Sequence, residues 1–161
     1  MRSGFVGVLV LAACATSGGP RTANERAAQA RDDAQRVCGG APPTDLRPFA
    51  RENIERVEPV YFVIQHGRGN REEQVRGVRL YLRPQPGMSA QWIEQTLICH
   101  RARRLLGPGE PELANEPWVL PAGWVDVAVE DGQGAFVVTL RGVEPRDSEE
   151  ALARARAFAA R

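Results

Sequence analysis

The sequence contains no lysine, and all 21 of its basic residues are arginine. Against them stand 20 carboxylates, so neither sign of charge dominates and a cationic nucleic-acid binder is not indicated. Bidentate anion contacts are one reading of the arginine bias. GC-rich coding, which favours arginine and alanine codons, is the simpler one, because these residues are spread over the chain and matched by carboxylates. Histidine is scarce, with only His66 and His100. No Gly-x-Ser-x-Gly elbow, Ser-x-x-Lys or His-Glu-x-x-His pattern occurs, so the common hydrolase signatures are missing and no catalytic residue is assigned. Glu72-Glu73 and Glu149-Glu150 read as solvated charge or as matches to a helix dipole. Gly67-Arg68-Gly69-Asn70-Arg71 lacks the Lys-Ser/Thr of a phosphate loop and reads as a turn. No apolar run reaches the roughly 20 residues of a spanning helix. What is present is 161 residues, 43% hydrophobic and 25% charged, enough for one globular domain with a real core.

Three cysteines, Cys14, Cys38 and Cys99, make an odd number. The first lies in an informative place. Met1-Arg2-Ser3 is a short positive start, Phe5 to Ala13 is a short apolar stretch, and Leu11-Ala12-Ala13-Cys14 closes it. The build is that of a secretory signal. Its last four residues resemble the lipobox of bacterial lipoproteins. The resemblance implies cleavage between Ala13 and Cys14, a diacylglyceryl thioether on Cys14 and acylation of the new amino group. Several acyl chains would anchor the chain stably. Ala15 stands where an inner-membrane retention aspartate would, so the resemblance implies a lipid-anchored envelope protein at the outer membrane, facing the periplasm. Removal of Arg2 leaves 20 arginines against 20 carboxylates, a formally neutral chain.

Four segments are expected: a signal peptide over 1–13, a flexible tether over 14–21, a helical segment over 22–57 and an α+β domain over 58–161. Thr22 and Glu25 form a capping box. Ala23, Ala27, Ala30, Ala34 and Val37 then make a narrow small-residue stripe, stopped by Gly39-Gly40. A second helix is expected from Asp45 to Arg56, with Pro48 in its first turn. Val60 to Ile64 reads as a strand. Val78, Leu80 and Leu82 alternate with Arg79, Tyr81 and Arg83, the mark of a sheet with one buried face. Ser89 caps a long helix ending at Gly107-Pro108, with Thr96, His100, Arg103 and Arg104 as its polar strip. A hairpin turns at Asp131 to Gly134, and a last helix starts with a capping pair, Asp147 and Glu150. The order βαββα from Val78 predicts a two-layer ferredoxin-like fold (split βαβ), with the Val60 strand completing a four-stranded antiparallel sheet.

In an oxidising envelope Cys38 and Cys99 are expected to form a disulfide between the first and the long helix. A buried thiol at Cys99 or an intermolecular bridge through Cys38 are the other readings. Cys99, His100 and His66 offer thiolate and imidazole to a metal, which frames an alternative function as a periplasmic metal- or small-ligand sensor. Helical chelates want i and i+4, however, and His100 has Thr96 and Arg104 there. No cofactor is implied. Arg101, Arg103 and Arg104 form a basic patch that could meet anionic lipid. His100 reads as a helix-surface or half-buried group. Trp118 and Trp124 flank a proline-rich loop, where they either mark a partner surface or close the core. The function that these readings favour is a non-catalytic binding or assembly module with a possible envelope partner.

Overall fold

The computed structural model describes residues 19–39, 46–107 and 115–160. The lipobox, Cys14, the signal peptide over 1–13, residues 14–18 of the tether and the Asp45 helix start lie outside the described residues. Helix α1 spans Ala23–Arg36, and the Thr22–Glu25 capping box forms in both directions. Glu25 accepts backbone N–H bonds from Thr22 and Arg21, which hold its carboxyl below the ordinary range. The expected stripe is only partly inward: Ala30 is buried, Ala27, Ala34 and Val37 are half-buried, and Ala23 is exposed.

The second helix does not form. Two single 3₁₀ turns, Arg47–Phe49 and Arg51–Asn53, stand there instead, and strand β1 begins at Ile54 and runs to Gln65. The boundary expected at 57/58 therefore falls inside a strand. Pro48 within the segment and the β-branched run after it favour turn and strand over helix. Strand β2 spans Arg71–Leu82, helix α2 Ala90–Leu106, strand β3 Val125–Asp131, strand β4 Phe136–Gly142 and helix α3 Pro145–Ala159. Ser89 caps α2 by accepting from Trp92 N, as expected. Helix α3 starts earlier than expected. Glu144 is its N-cap and Asp147 its third residue, and Pro145 takes the first position, where its missing N–H costs nothing. No helix among the described residues is long and apolar enough to cross a membrane.

The sheet is antiparallel, in the order β1-β2-β4-β3. Strands β2 and β3 are thus parallel to each other with β4 between them and α2 connecting them, which is the split βαβ arrangement. Strand β1 adds the fourth strand. Val78, Leu80 and Leu82 from β2 meet Val138 and Leu140 from β4, and α2 and α3 cover this face through Ile93, Leu97, Leu152 and Ala155. On the other face Arg56 lies over the Tyr81 ring, whose hydroxyl donates to Glu58. An aromatic cluster closes one end of the core: Phe49 stacks on Trp92, and Trp118 meets Phe49 and Phe158 edge-on. Such pairs add about 1 kcal/mol each beyond area burial.

Two features set the shape of one end of the sheet. Strand β4 pairs only with Gly77 to Leu82 of β2. Beyond Gly77, β1 and β2 continue alone to a turn at Gly67–Gly69, so they form a two-stranded arm. A register shift sits at its base, where Val60 faces Gly77 but Tyr61 faces Val75, leaving Arg76 as the extra residue. The chain also reaches this end from its N-terminal side. A Cβ on Gly19 would lie 2.4 Å from Val143 Cγ2, and Arg21 pairs with Glu144 at 3.1 Å. Residues 19–21, expected as tether, are docked.

Gly77 is glycine because of its neighbour. A Cβ there would stand 2.2 Å from the Leu140 carbonyl oxygen of β4, which cannot move without breaking the ladder. Gly77→Ala is expected to cost about 2 kcal/mol. In thermal unfolding followed by circular dichroism, that lowers the midpoint by about 8 °C. Gly67→Ala, where nothing lies within 4 Å, leaves the midpoint unchanged. Equal midpoints for the two variants would refute the close-approach account.

Candidate functional site

Helix α2 carries a line of polar groups into the interior. Of the polar strip read from the sequence, Thr96 and His100 are buried and Arg103 and Arg104 half-buried, and Arg101 beside them is buried as well. Thr96 resolves its own burial by donating to the Trp92 carbonyl one turn back. His100 needs a partner from elsewhere, and the loop before β3 supplies one. Asn115 adopts the left-handed conformation, φ 62°, which asparagine tolerates better than most residues. The next residue, Glu116, then turns inward beside Pro117 and Trp118. Its Oε2 lies 2.6 Å from Nε2 of His100, with both side chains only 3% exposed. The second oxygen lies 3.3 Å from Nε of Arg104, near enough for an ion pair but not aligned for a hydrogen bond. His100 and Arg104 are one helical turn apart, so a single carboxylate spans both.

One residue further along the helix, Arg101 points to the other side. It donates to Asp33 of α1 at 2.7 Å and to the Val125 carbonyl of β3, and its guanidinium lies 4.0 Å over the Trp124 ring. Burial lowers its pKa, and the Asp33 carboxylate opposes that shift. Trp124 is held in turn: its N–H and that of Glu144 both donate to Oδ2 of Asp147 in the first turn of α3. Two residues before Arg101, Cys99 meets Cys38 at the end of α1, with sulfurs 2.24 Å apart and Cα atoms 5.5 Å apart, as a disulfide. The chain closed by such a link is long, with 61 residues of separation, and cross-linking it stabilises by about 4 kcal/mol in the chain-entropy account. One turn of α2 therefore grips α1 by a covalent link and a buried ion pair, and β3 by a hydrogen bond.

The residues proposed from sequence are distributed differently from expectation. Cys38 and Cys99 come together. Cys99, His100 and His66 do not form a common centre: Cys99 is in the bridge, His100 faces Glu116, and His66 sits at the exposed arm turn, 3.0 Å from Glu72. Among the described residues no group of three or more His, Cys, Asp or Glu side chains is arranged to hold a metal. Trp118 and Trp124 are each 2% exposed and form no partner surface, because the aromatic cluster and the Arg101 contact take them into the core. The basic patch is corrected too, since Arg101 is interior. His100 is neither surface nor half-buried.

Two residues and one exposed surface escaped the sequence reading. Glu116 lies between α2 and β3 in a stretch without periodicity, and Asp33 lies on the small-residue stripe; a carboxylate three residues from Ala30 on that stripe was the available signal. The third omission is exposure. Tyr61, Phe62 and Val63 look like core strand, yet they are 51%, 53% and 45% exposed on the arm. They are three consecutive exposed apolar residues, and Leu106 at the end of α2 is the other large hydrophobic left exposed among the described residues. No family model, no curated protein and no solved structure matches the chain.

The Asp33–Arg101 contact has a clear energetic test. Removing one partner strands a buried charge, so Asp33→Leu or Arg101→Met alone is expected to cost about 3–5 kcal/mol in urea unfolding. The double variant is expected to cost less than the sum of the two by at least ~1 kcal/mol. Simple additivity would show that the two groups do not stabilise one another.

Proposed function

We propose that the chain is a lipid-anchored protein of the bacterial cell envelope, held through Cys14 at the outer membrane and facing the periplasm, where it serves as a non-catalytic binding or assembly module. The observation that carries this reading is the cysteine arithmetic. Cys38 and Cys99 lie at bonding distance, which suits an oxidising compartment and leaves Cys14 as the unpaired third. That cysteine ends the Leu11-Ala12-Ala13-Cys14 sequence that resembles a lipobox. Two further observations support the non-catalytic part. His100 is closed off in the interior with Glu116, and His66 is paired on an exposed turn rather than set in a cleft. An exposed aromatic arm supports a binding role.

Intact mass spectrometry of the chain purified from bacterial membranes tests the reading. The expected product begins at Cys14 and carries a diacylglyceryl group and an amide-linked acyl chain, and its other two cysteines resist alkylation until reduced. Cys14→Ser is expected to block both lipid attachment and cleavage. A product that keeps residues 1–13, or that has an alkylatable Cys14 thiol, would sink the proposal.

A further inference from the structure

The exposed arm and the proposed anchor point to the same place. We infer that the β1–β2 arm is a second membrane contact, with Tyr61, Phe62 and Val63 seated in the headgroup region of the leaflet that holds the Cys14 lipid. This rests on the lipid-anchored reading.

Placement comes first. The docked residues Gly19 to Arg21 lie against Val143 and Glu144, just beyond the end of β4. In the sheet register Gly142 faces Val125, and Arg141 faces Gly77, the last β2 residue that β4 pairs. The arm leaves from this same end. Chain lengths then agree. Five residue steps separate Cys14 from Gly19, which span at most about 18 Å. Tyr61, Phe62 and Val63 stand one to three steps beyond Val60, at the base of the arm, a rise of about 3 to 10 Å. A lipid on Cys14 and these three residues are therefore within reach of a common plane.

Chemistry selects the bilayer over a protein partner. Successive strand residues point to opposite faces, so exposed Tyr61 and Val63 lie on one face of the arm and exposed Phe62 on the other. A protein groove or a second copy pairing along the β1 edge would cover one face, whereas a headgroup layer surrounds both. Arg76 lies 5.4 Å over the Phe62 ring, which puts a phosphate-seeking cation beside an interfacial aromatic. Glu72, engaged by His66, and Glu73 on the returning strand keep the contact at headgroup depth and out of the acyl core.

The test uses the full-length chain with its lipid, reconstituted in vesicles of phosphatidylethanolamine and phosphatidylglycerol. Phe62→Trp places a reporter at an exposed site, and the wild-type chain supplies the background of Trp92, Trp118 and Trp124. The added emission is expected to shift to shorter wavelength and to fall roughly twofold with lipids brominated near the headgroup. Tyr61→Ser with Val63→Ser is expected to remove most of that quenching. An unquenched reporter on a chain whose mass shows the lipid overturns the arm contact and leaves the anchor standing. A chain without lipid on Cys14 overturns both. A reporter shielded from aqueous acrylamide by concentration-dependent dimerisation, and deaf to brominated lipid, overturns the membrane contact in favour of a second copy.

Discussion

The guanidinium of Arg101 reaches Asp33 on α1 with one nitrogen and the carbonyl of Val125 at the head of β3 with another, beneath the ring of Trp124. Three elements distant in sequence meet at this one buried charge. The arrangement follows from the cost of burying a cation: desolvation must be offset by a carboxylate, a carbonyl and an aromatic face together. Each of those groups must then stay in place, so α1, β3 and the Trp124 loop share one position. The Cys38–Cys99 contact lies next to it and holds the end of α1 against the same turn of α2. Helix α1 buries little apolar area of its own, which explains why its docking depends on a charge and a covalent link rather than on a hydrophobic stripe.

The second interior carboxylate works by the same logic on the opposite flank of α2. Glu116 engages His100 and Arg104, and Arg154 of α3 donates to its backbone carbonyl. The loop that carries it is therefore fixed from both helices. Trp118, two residues later, is set by this anchoring into contact with Phe49 and Phe158. The polar seam along α2 is thus part of the packing of the domain. It also accounts for the fate of the residues with the most suggestive chemistry in the chain, the cysteine-histidine pair and the loop tryptophans, which are all engaged inside the fold. Among the described residues, Tyr61, Phe62 and Val63 remain outside, on the β1 strand of the paired arm at the end of the sheet where the N-terminal segment docks.

Much of the fold was legible because its signals are local. The alternation from Val78 to Arg83 determines which face of β2 is buried, and Ser89 and Gly107 bound α2 through caps that need only a few neighbouring residues. The split βαβ order followed from the sequence of element types. Misreadings occurred where distant contacts decide. The segment from Arg47 to Arg56 has helical spacing of apolar residues, yet β2 recruits its second half as a strand. The start of α3 shifted to Glu144 because Asp147 is held by Trp124 and by Glu144 itself. Val60 to Ile64 is apolar in the manner of a core strand, yet beyond the reach of β4 its middle residues Tyr61, Phe62 and Val63 are exposed.

By itself the sequence determined the charge balance, the types and order of most elements, the buried face of β2 and the position of the lipobox-like segment, since each is set by neighbours within a few residues. Tertiary structure alone decided which carboxylate meets which cation, whether a tryptophan faces solvent or core, and that one hairpin outruns its sheet. Those outcomes depend on where separate segments come to lie, and a buried charge or a strand edge takes its partner from whatever the fold brings within a few ångströms.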